Sequence, residues 1–361
     1  MDHTAQLMGL ANRFQLQGEI ADIRSYGNGH INDTYLVTGV DGKKSVRYIM
    51  QKVNTYVFPE PDKMMENIIS VTSFLKKNAT DARAVLTPIP TEDGKWFLQD
   101  GDDFYRAYHF VENSICLEHP ENQGDFYQCA VAFGAFQNEL RDFPADTLHE
   151  TIPNFHNTPK RFRDFLDAVE KDSCDRCKTA EAEIAFVKER EPFYGVLYDA
   201  YAKGQLPLRV THNDTKSNNV MLDANTHEAL CVIDLDTIMP GFSVTDFGDA
   251  IRFGASTATE DETDLSKVSI DLAMFRAYVE GFLKGCNGSL TPEEIMLLPE
   301  GAKMMTMECG MRFLADYLSG DVYFKTTYPT HNLVRCRTQF TLAADMEKHW
   351  DEMKEIVKSF L

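Results

Sequence analysis

Residues 206–236, LPLRVTHNDTKSNNVMLDANTHEALCVIDLD, constrain the fold more than any other stretch of the chain. Leu206, Leu208 and Val210 recur at every second position, the period of a half-buried strand, and lead into Thr211. A polar loop follows. Then NNVML and EALCVIDLD read as two strands joined by DANTH, a run of turn-forming residues. Such a hairpin brings Asp234 back beside Asp214 and Asn219, which lie 20 and 15 residues earlier in the chain.

Three oxygen-bearing side chains that converge without a matching cluster of bases suit a hard divalent cation. The spacing His212-x-Asp214-x-x-x-x-Asn219 also matches the H-x-D-x-x-x-x-N loop of phosphoryl-transfer enzymes. One loop can then aim a base and a metal ligand at opposite sides of a transferred phosphoryl group. The expectation is Asp214 as base, with Asn219 and Asp234 on Mg²⁺. A plain polar turn between strands is the competing reading, because Asn and Asp favour turns anyway. Thr245-Asp246-Phe247-Gly248 contains a literal D-F-G, but it follows MPGF and not a hairpin strand. Asp246 is therefore expected to brace the loop backbone. Asp236 is expected either as a second metal ligand or facing solvent.

The first part of the chain, to about Tyr108, is rich in short strand-like runs, with the Asp41-Gly42 turn predicting a hairpin. Its one long helical pattern is PDKMMENIISVTSFLKK. In Tyr26-Gly27-Asn28-Gly29-His30, Gly27 and Gly29 could bare backbone amides to phosphates, or simply form a hairpin turn. The third strand should carry a cation. By register the position holds Gln51, with Lys52 on the opposite face and Glu66 as its possible helix partner. After about Glu112 helical patterns dominate, including FYQCAVAFGAFQNEL and TPKRFRDFLDAVE, the latter opening with Thr158 as cap. These patterns predict an α+β protein of two lobes, residues 1–108 and 114–361, with residues 109–113 as hinge. A cleft between lobes is where a ligand site is expected.

Composition narrows the partners. A formal net charge of −20 disfavours nucleic acid and anionic membranes, although an ATP-sized anion can bind if a metal and backbone amides offset its charge. No apolar run reaches the ~18 residues that span a bilayer, and the first residues lack a signal-peptide pattern, so a cytoplasmic protein is expected. Eight cysteines are scattered; SCDRC, with Cys174 and Cys177, has no second pair to complete a zinc site and reads as a helical surface segment. With no exposed heptad, a monomer is expected.

At this point THNDTKSNNVML, VIDLDTIMPG, DFGDAIRFGAST, MECGMRFLADYLSGD and YGNGHINDTYLV resemble the aminoglycoside phosphotransferase and choline kinase superfamily. Within it they are similar to the N-acetylhexosamine 1-kinases, over residues 26–339. The resemblance implies a protein-kinase-like fold and transfer of the γ-phosphate of ATP, with Mg²⁺, to the anomeric hydroxyl of N-acetylglucosamine or N-acetylgalactosamine. It implies Asp214 as the base that meets the sugar hydroxyl, and Asn219 and Asp234 as metal ligands. Adenine would meet the segment around Tyr108 and Phe110. The sugar would meet His30, Arg312 and Asp316, the last two being four residues apart on one helical face. An uncharged Gln51 is ordinary for this narrower group. Two alternatives stay open: another small hydroxyl acceptor such as homoserine or an amino alcohol, and a non-catalytic binding protein of the same shape.

Overall fold

The computed structural model describes residues 3–27 and 31–361. Helix α1 (His3–Ala11) precedes strands β1 (Glu19–Ser25), β2 (Asp33–Asp41) and β3 (Lys44–Val53). Helix α2 (Pro61–Leu75) follows, then β4 (Pro88–Ile89), β5 (Leu98–Asp100) and β6 (Asp103–His109). These strands form an antiparallel sheet of order β1-β2-β3-β6-β4, with β5 paired to β6. Leu7, Leu10 and Ala11 of α1, with Phe14 in the segment that follows it, seal one face against Val37, Tyr48 and Met50. The other face packs on α2 through Met64, Met65, Ile68 and Val71. This is the alternation expected of a sheet covered on both sides.

The chain leaves the sheet through residues 110–113, where Asn113 adopts φ +52°, and enters β7 (Ser114–Cys116). Helices α3 (Gln123–Glu139), α4 (Thr158–Lys171), α5 (Glu181–Glu189) and α6 (Val196–Ala202) lead to β8 (Arg209–Thr211). The predicted hairpin is β9 (Val220–Asp223) with β10 (Ala229–Val232), and β11 (Met239–Gly241) pairs back on β8. Helices α7 (Ser243–Gly254), α8 (Leu272–Cys286), α9 (Pro292–Met296), α10 (Leu298–Ser319), α11 (His331–Lys348) and α12 (Trp350–Lys358) complete a helical lobe around one large apolar core. The fold is therefore α+β and protein-kinase-like, a small β-rich lobe ahead of a larger helical one.

Two local expectations are corrected. Asn157, not Thr158, caps α4, its side chain accepting from the Lys160 amide at 3.0 Å. SCDRC is a turn running into one 3₁₀ turn (Cys177–Thr179), because Asp172 ends α4 in a left-handed conformation.

A second apolar cluster crosses between the lobes. Phe136 and Leu140 of α3, Val210, Leu235 and Ile238 meet α2, Phe104 and Tyr108. Asn67, 3% exposed on α2, donates to His149 O at 2.9 Å and Ile238 O at 3.1 Å, and accepts from the His149 amide at 2.9 Å. Helix α2 is thus held against the larger lobe by backbone as well as by apolar contact.

The glycine of the literal D-F-G serves packing. A Cβ on Gly248 would collide with the Gly301 carbonyl, so α7 and α10 touch backbone to backbone there. Gly248→Ala is expected to cost ~1–3 kcal/mol of stability through overpacking. Urea unfolding with an unshifted midpoint would contradict that close approach.

Candidate active site

The loop after β8 is built from its own polar residues. His212 is fully buried between Phe133 and Phe136, and its Nε2 donates to Ile233 O at 2.9 Å while Nδ1 accepts from the Asp214 amide at 3.3 Å. Both ring nitrogens of His212 are thus engaged in holding the loop. Asn213, at φ +64°, donates from Nδ2 to Thr237 O at 2.8 Å. Asp246 accepts from the amides of His212 and Asn213, both at 2.8 Å, and from Gln137 at 3.0 Å. It braces the loop, as its place in the sequence led one to expect. Asp249, between Arg252 and the Thr215 amide, does the same one turn later on α7.

What this frame exposes is Asp214. Asn219 Nδ2 donates to Asp214 O at 2.8 Å and to Asp214 Oδ2 at 3.1 Å, and Lys216 Nζ lies 2.8 Å from Oδ1. Burial works against the charge on Lys216, but Asp214 outweighs it and holds the ammonium above its ordinary pKa. The hairpin returns as predicted: the Ile233 amide donates to Asn219 O at 2.9 Å, so Asp234 emerges beside the loop. Asp234 has φ +59° and ψ +58°, a left-handed conformation that costs ~1–3 kcal/mol outside glycine. The Asp234 side chain is exposed to solvent, yet the protein atoms crowded around it, then Asp236 and Asp214 nearby, push its carboxyl up to about 7. A bound cation would relieve that repulsion. Among the described residues, no three His, Cys, Asp or Glu side chains could hold a metal by themselves. Two protein oxygens with the balance supplied by phosphates is the usual arrangement for Mg²⁺.

The small-lobe side differs from expectation. Gln51 Oε1 accepts from Arg106 Nε at 3.0 Å and Nη2 at 2.8 Å, and Gln51 Nε2 donates to Thr34 at 3.1 Å. Lys52 is spent on Asp103 at 2.8 Å, and Glu66 pairs with His149 instead of Lys52. Asp236 neither faces solvent nor stands free as a ligand. It is 3% exposed and forms a bidentate pair with Arg106.

At the crossing, Tyr108 is a core residue, 4% exposed, inside the ladder between β3 and β4. Phe110 gives its amide to Arg47 O at 3.2 Å and presents its ring to Tyr26 (5.8 Å) and beneath the Arg47 guanidinium (4.0 Å). Arg47 also pairs with Glu112, which ties β3 to the crossing segment. Gly27 has φ +76°, with open space where a Cβ would stand. Gly29 and His30 lie outside the described residues.

The expected acceptor pair separates. Arg312 lies 5.5–5.8 Å from the rings of Phe155, Tyr323 and Phe324. Asp316 is 6% exposed and spends its carboxylate on the amides of Val322, Tyr323 and Phe324 and on Asn332. Four acceptor positions are filled, so a ligand contact at Asp316 is corrected to a brace for the aromatic segment that flanks Arg312.

One residue escaped notice in the sequence. His156 Nε2 donates to Asn213 O at 3.1 Å and Nδ1 meets Glu308 Oε1 at 2.8 Å, while Thr158 donates to the other Glu308 oxygen at 2.5 Å. A carbonyl can only accept, so Nε2 carries a proton, and the pair shares one more. Burial alone would lower the His156 pKa, but Glu308 and Asp249 raise it; Glu308 is lowered by the same pair against its own burial. A lone His in a sequence gives no sign of this, because its partner lies 152 residues away on α10. The sign follows. His156 contributes stability fully below its ordinary value of about 6.5 and loses it as pH rises through the raised folded value. Glu308 contributes above the ordinary carboxylate range and loses it as pH falls through its lowered value. Imidazole NMR should show His156 titrating above the free value, with Glu308→Gln moving the midpoint down. An unmoved midpoint would exclude the pair.

A cavity of about 310 Å³ lies against Asn213, with Phe155, His156, Tyr198 and Phe242 in its wall; Asp214, Asn219, Asp234 and Arg312 do not line it.

Comparison with known proteins gives a consistent placement. Residues 22–278 match the signature of a family described as the phosphotransferase enzyme family. The structure resembles that of a microcompartment-associated aminopropanol kinase, at 16% identity and TM-score 0.64, over 97% of this chain and 98% of that one. It also resembles a choline kinase from Cryptosporidium parvum, at 12% identity and TM-score 0.59, over 98% of both chains. A spectinomycin phosphotransferase in complex with ADP and spectinomycin matches at 14% identity and TM-score 0.57, over 99% and 98%. At these identities the likeness is one of fold.

Proposed function

The chain belongs to the phosphotransferase enzyme family, and from that premise we propose that it transfers the γ-phosphoryl group of ATP to the anomeric hydroxyl of an N-acetylhexosamine. The observation that carries the reading is the cluster in which Asp214 meets Asn219 and Lys216 while the hairpin delivers Asp234 beside them. No nucleophile–base pair is needed, because phosphoryl transfer rests mainly on positioning and charge neutralisation. The sugar O1 attacks the γ-phosphorus in line, the bond to the β–γ bridging oxygen breaks, and the hydroxyl proton passes to Asp214. Lys216 keeps a positive charge where the transferred group arrives. Asn219 would ligate Mg²⁺ through its carbonyl oxygen, its NH₂ being used on Asp214, and Asp234 through its carboxylate. When bound, that cation neutralises phosphate charge.

On this reading Gly27 and Gly29 cover the phosphates, and the segment around Tyr108 and Phe110 meets adenine. His30 and Arg312 receive the sugar, with Asp316 holding the aromatic segment in place. The guanidinium among Phe155, Tyr323 and Phe324 favours a neutral acceptor with hydroxyl and carbonyl groups over an amino alcohol, whose cation it would repel. All these residues come from one chain, so a monomer suffices, and dependence on ATP accords with a cytoplasmic site. No helix among the described residues is long and apolar enough to cross a membrane.

The test is to incubate the protein with Mg·ATP and a panel of N-acetylhexosamines, other sugars, homoserine and amino alcohols. ADP release and phosphorus NMR of the product are followed. An anomeric phosphate on an N-acetylhexosamine is expected. Turnover only with choline, homoserine or a 6-hydroxyl acceptor would keep the base and discard the sugar site at Arg312.

A further inference from the structure

A kinase-like site ordinarily carries a lysine on its third strand. Here Gln51 stands in that place, and the residue opposite it on the neighbouring strand, in direct register, is Arg106. The guanidinium is 1% exposed and uses four of its five N–H groups on two residues: Nε and Nη2 on Gln51 Oε1, Nη1 and Nη2 on the two oxygens of Asp236. Asp236 begins no new element of its own. It sits in the 3₁₀ turn Leu235–Thr237 immediately after Asp234, on the larger lobe. Asn32, immediately before β2, donates to the same carboxylate at 2.8 Å, and its side-chain carbonyl accepts from the Asn54 amide at 2.9 Å. One buried cation therefore joins the small sheet to the turn that presents Asp234.

We propose that the cationic role of the third-strand lysine has moved one strand over, to Arg106, which acts as a positioning residue: it locks Asp236 and so holds Asp234 where the metal–nucleotide is received. The inference rests on the phosphotransferase reading of this site. It also accounts for the uncharged Gln51. An ammonium at position 51 would stand against the guanidinium, whereas an amide oxygen accepts two of its N–H groups, and the Gln51 NH₂ on Thr34 fixes which way the amide points. Arginine suits the place because a planar fork can hold a carboxylate by two bonds and an amide by two more, which a lysine cannot do.

The experiment uses the full chain and Mg·ADP as probe, by calorimetry, with ATP turnover beside it. Arg106→Gln is expected to weaken Mg·ADP binding at least tenfold and to slow turnover further, and Arg106→Lys to recover part of both. Gln51→Lys alone is expected to weaken binding by opposing Arg106. Combined with Arg106→Gln, which returns the cation to the third strand, it is expected to bind at least tenfold better than Arg106→Gln. A merely structural role would show in thermal stability without that rescue. If Arg106→Gln does not fold, the single Gln51→Lys and Arg106→Lys variants decide the matter by the same readouts. Wild-type affinity in Arg106→Gln, or in both of those single variants, overturns the assignment. The wild type is measured alongside: no Mg·ADP binding there would overturn the phosphotransferase reading too, whereas binding kept equally by wild type and variant overturns the assignment of Arg106 only.

Discussion

Asp214→Asn is expected to slow turnover about 10²- to 10⁴-fold while Mg·ATP affinity stays nearly unchanged, the range typical of losing a positioned general base. The substitution is isosteric. An amide at position 214 can still face Lys216 with its oxygen, and the loop keeps its other supports at His212, Asn213 and Asp246. What it loses is the bond that Oδ2 accepts from Asn219 Nδ2, whose bond to the backbone carbonyl of residue 214 remains, and the ability to take a proton. Steady-state kinetics separates the two effects, because an interaction made only in the transition state lowers kcat and kcat/KM together. Wild-type turnover would remove Asp214 as the base. A variant that lost nucleotide affinity in step with kcat would instead place its role in binding.

Asp234→Asn should do the reverse. Metal-dependent nucleotide binding is expected to disappear, since the hairpin then offers no carboxylate at the place where Asp214 and Asp236 already crowd negative charge. Stability should hold or rise. Asn tolerates the left-handed conformation at this position, and the change removes a charge that two neighbouring carboxylates oppose. A thermal midpoint that holds while calorimetry with Mg·ADP goes flat would separate a ligand site from a folding defect. Unchanged Mg·ADP affinity would contradict the assignment of Asp234.

Much of the site was legible because its parts are local or one hairpin apart. The period-two runs around 206–236 and the DANTH turn determine that Asp234 comes back beside Asn219, and β9 and β10 pair accordingly. The bracing role of Asp246 was readable from its position after MPGF. The two-lobed α+β architecture follows from the change from strand-like to helix-like patterns near Glu112, which tracks the sheet and the helical lobe of the structure.

What escaped involves partners far apart in sequence whose pairing no spacing encodes. Arg106 reads as one more strand residue until β3 and β6 align it with Gln51 and the packing of the two lobes brings Asp236, 130 residues on, within bonding distance. Asp316 and Arg312 share a helical face, but the turn at residues 322–324 folds back and takes the carboxylate for its amides. His156 and Glu308 meet only because α10 runs past the segment ahead of α4. The sequence by itself determined which residue types stand at the loop and at the hairpin end, because backbone periodicity and turn chemistry act over a few residues. Only the tertiary structure decided which charges are spent in holding that loop and which remain for a ligand. A buried charge must find a partner wherever the fold brings one, and that pairing is settled by how the two lobes pack.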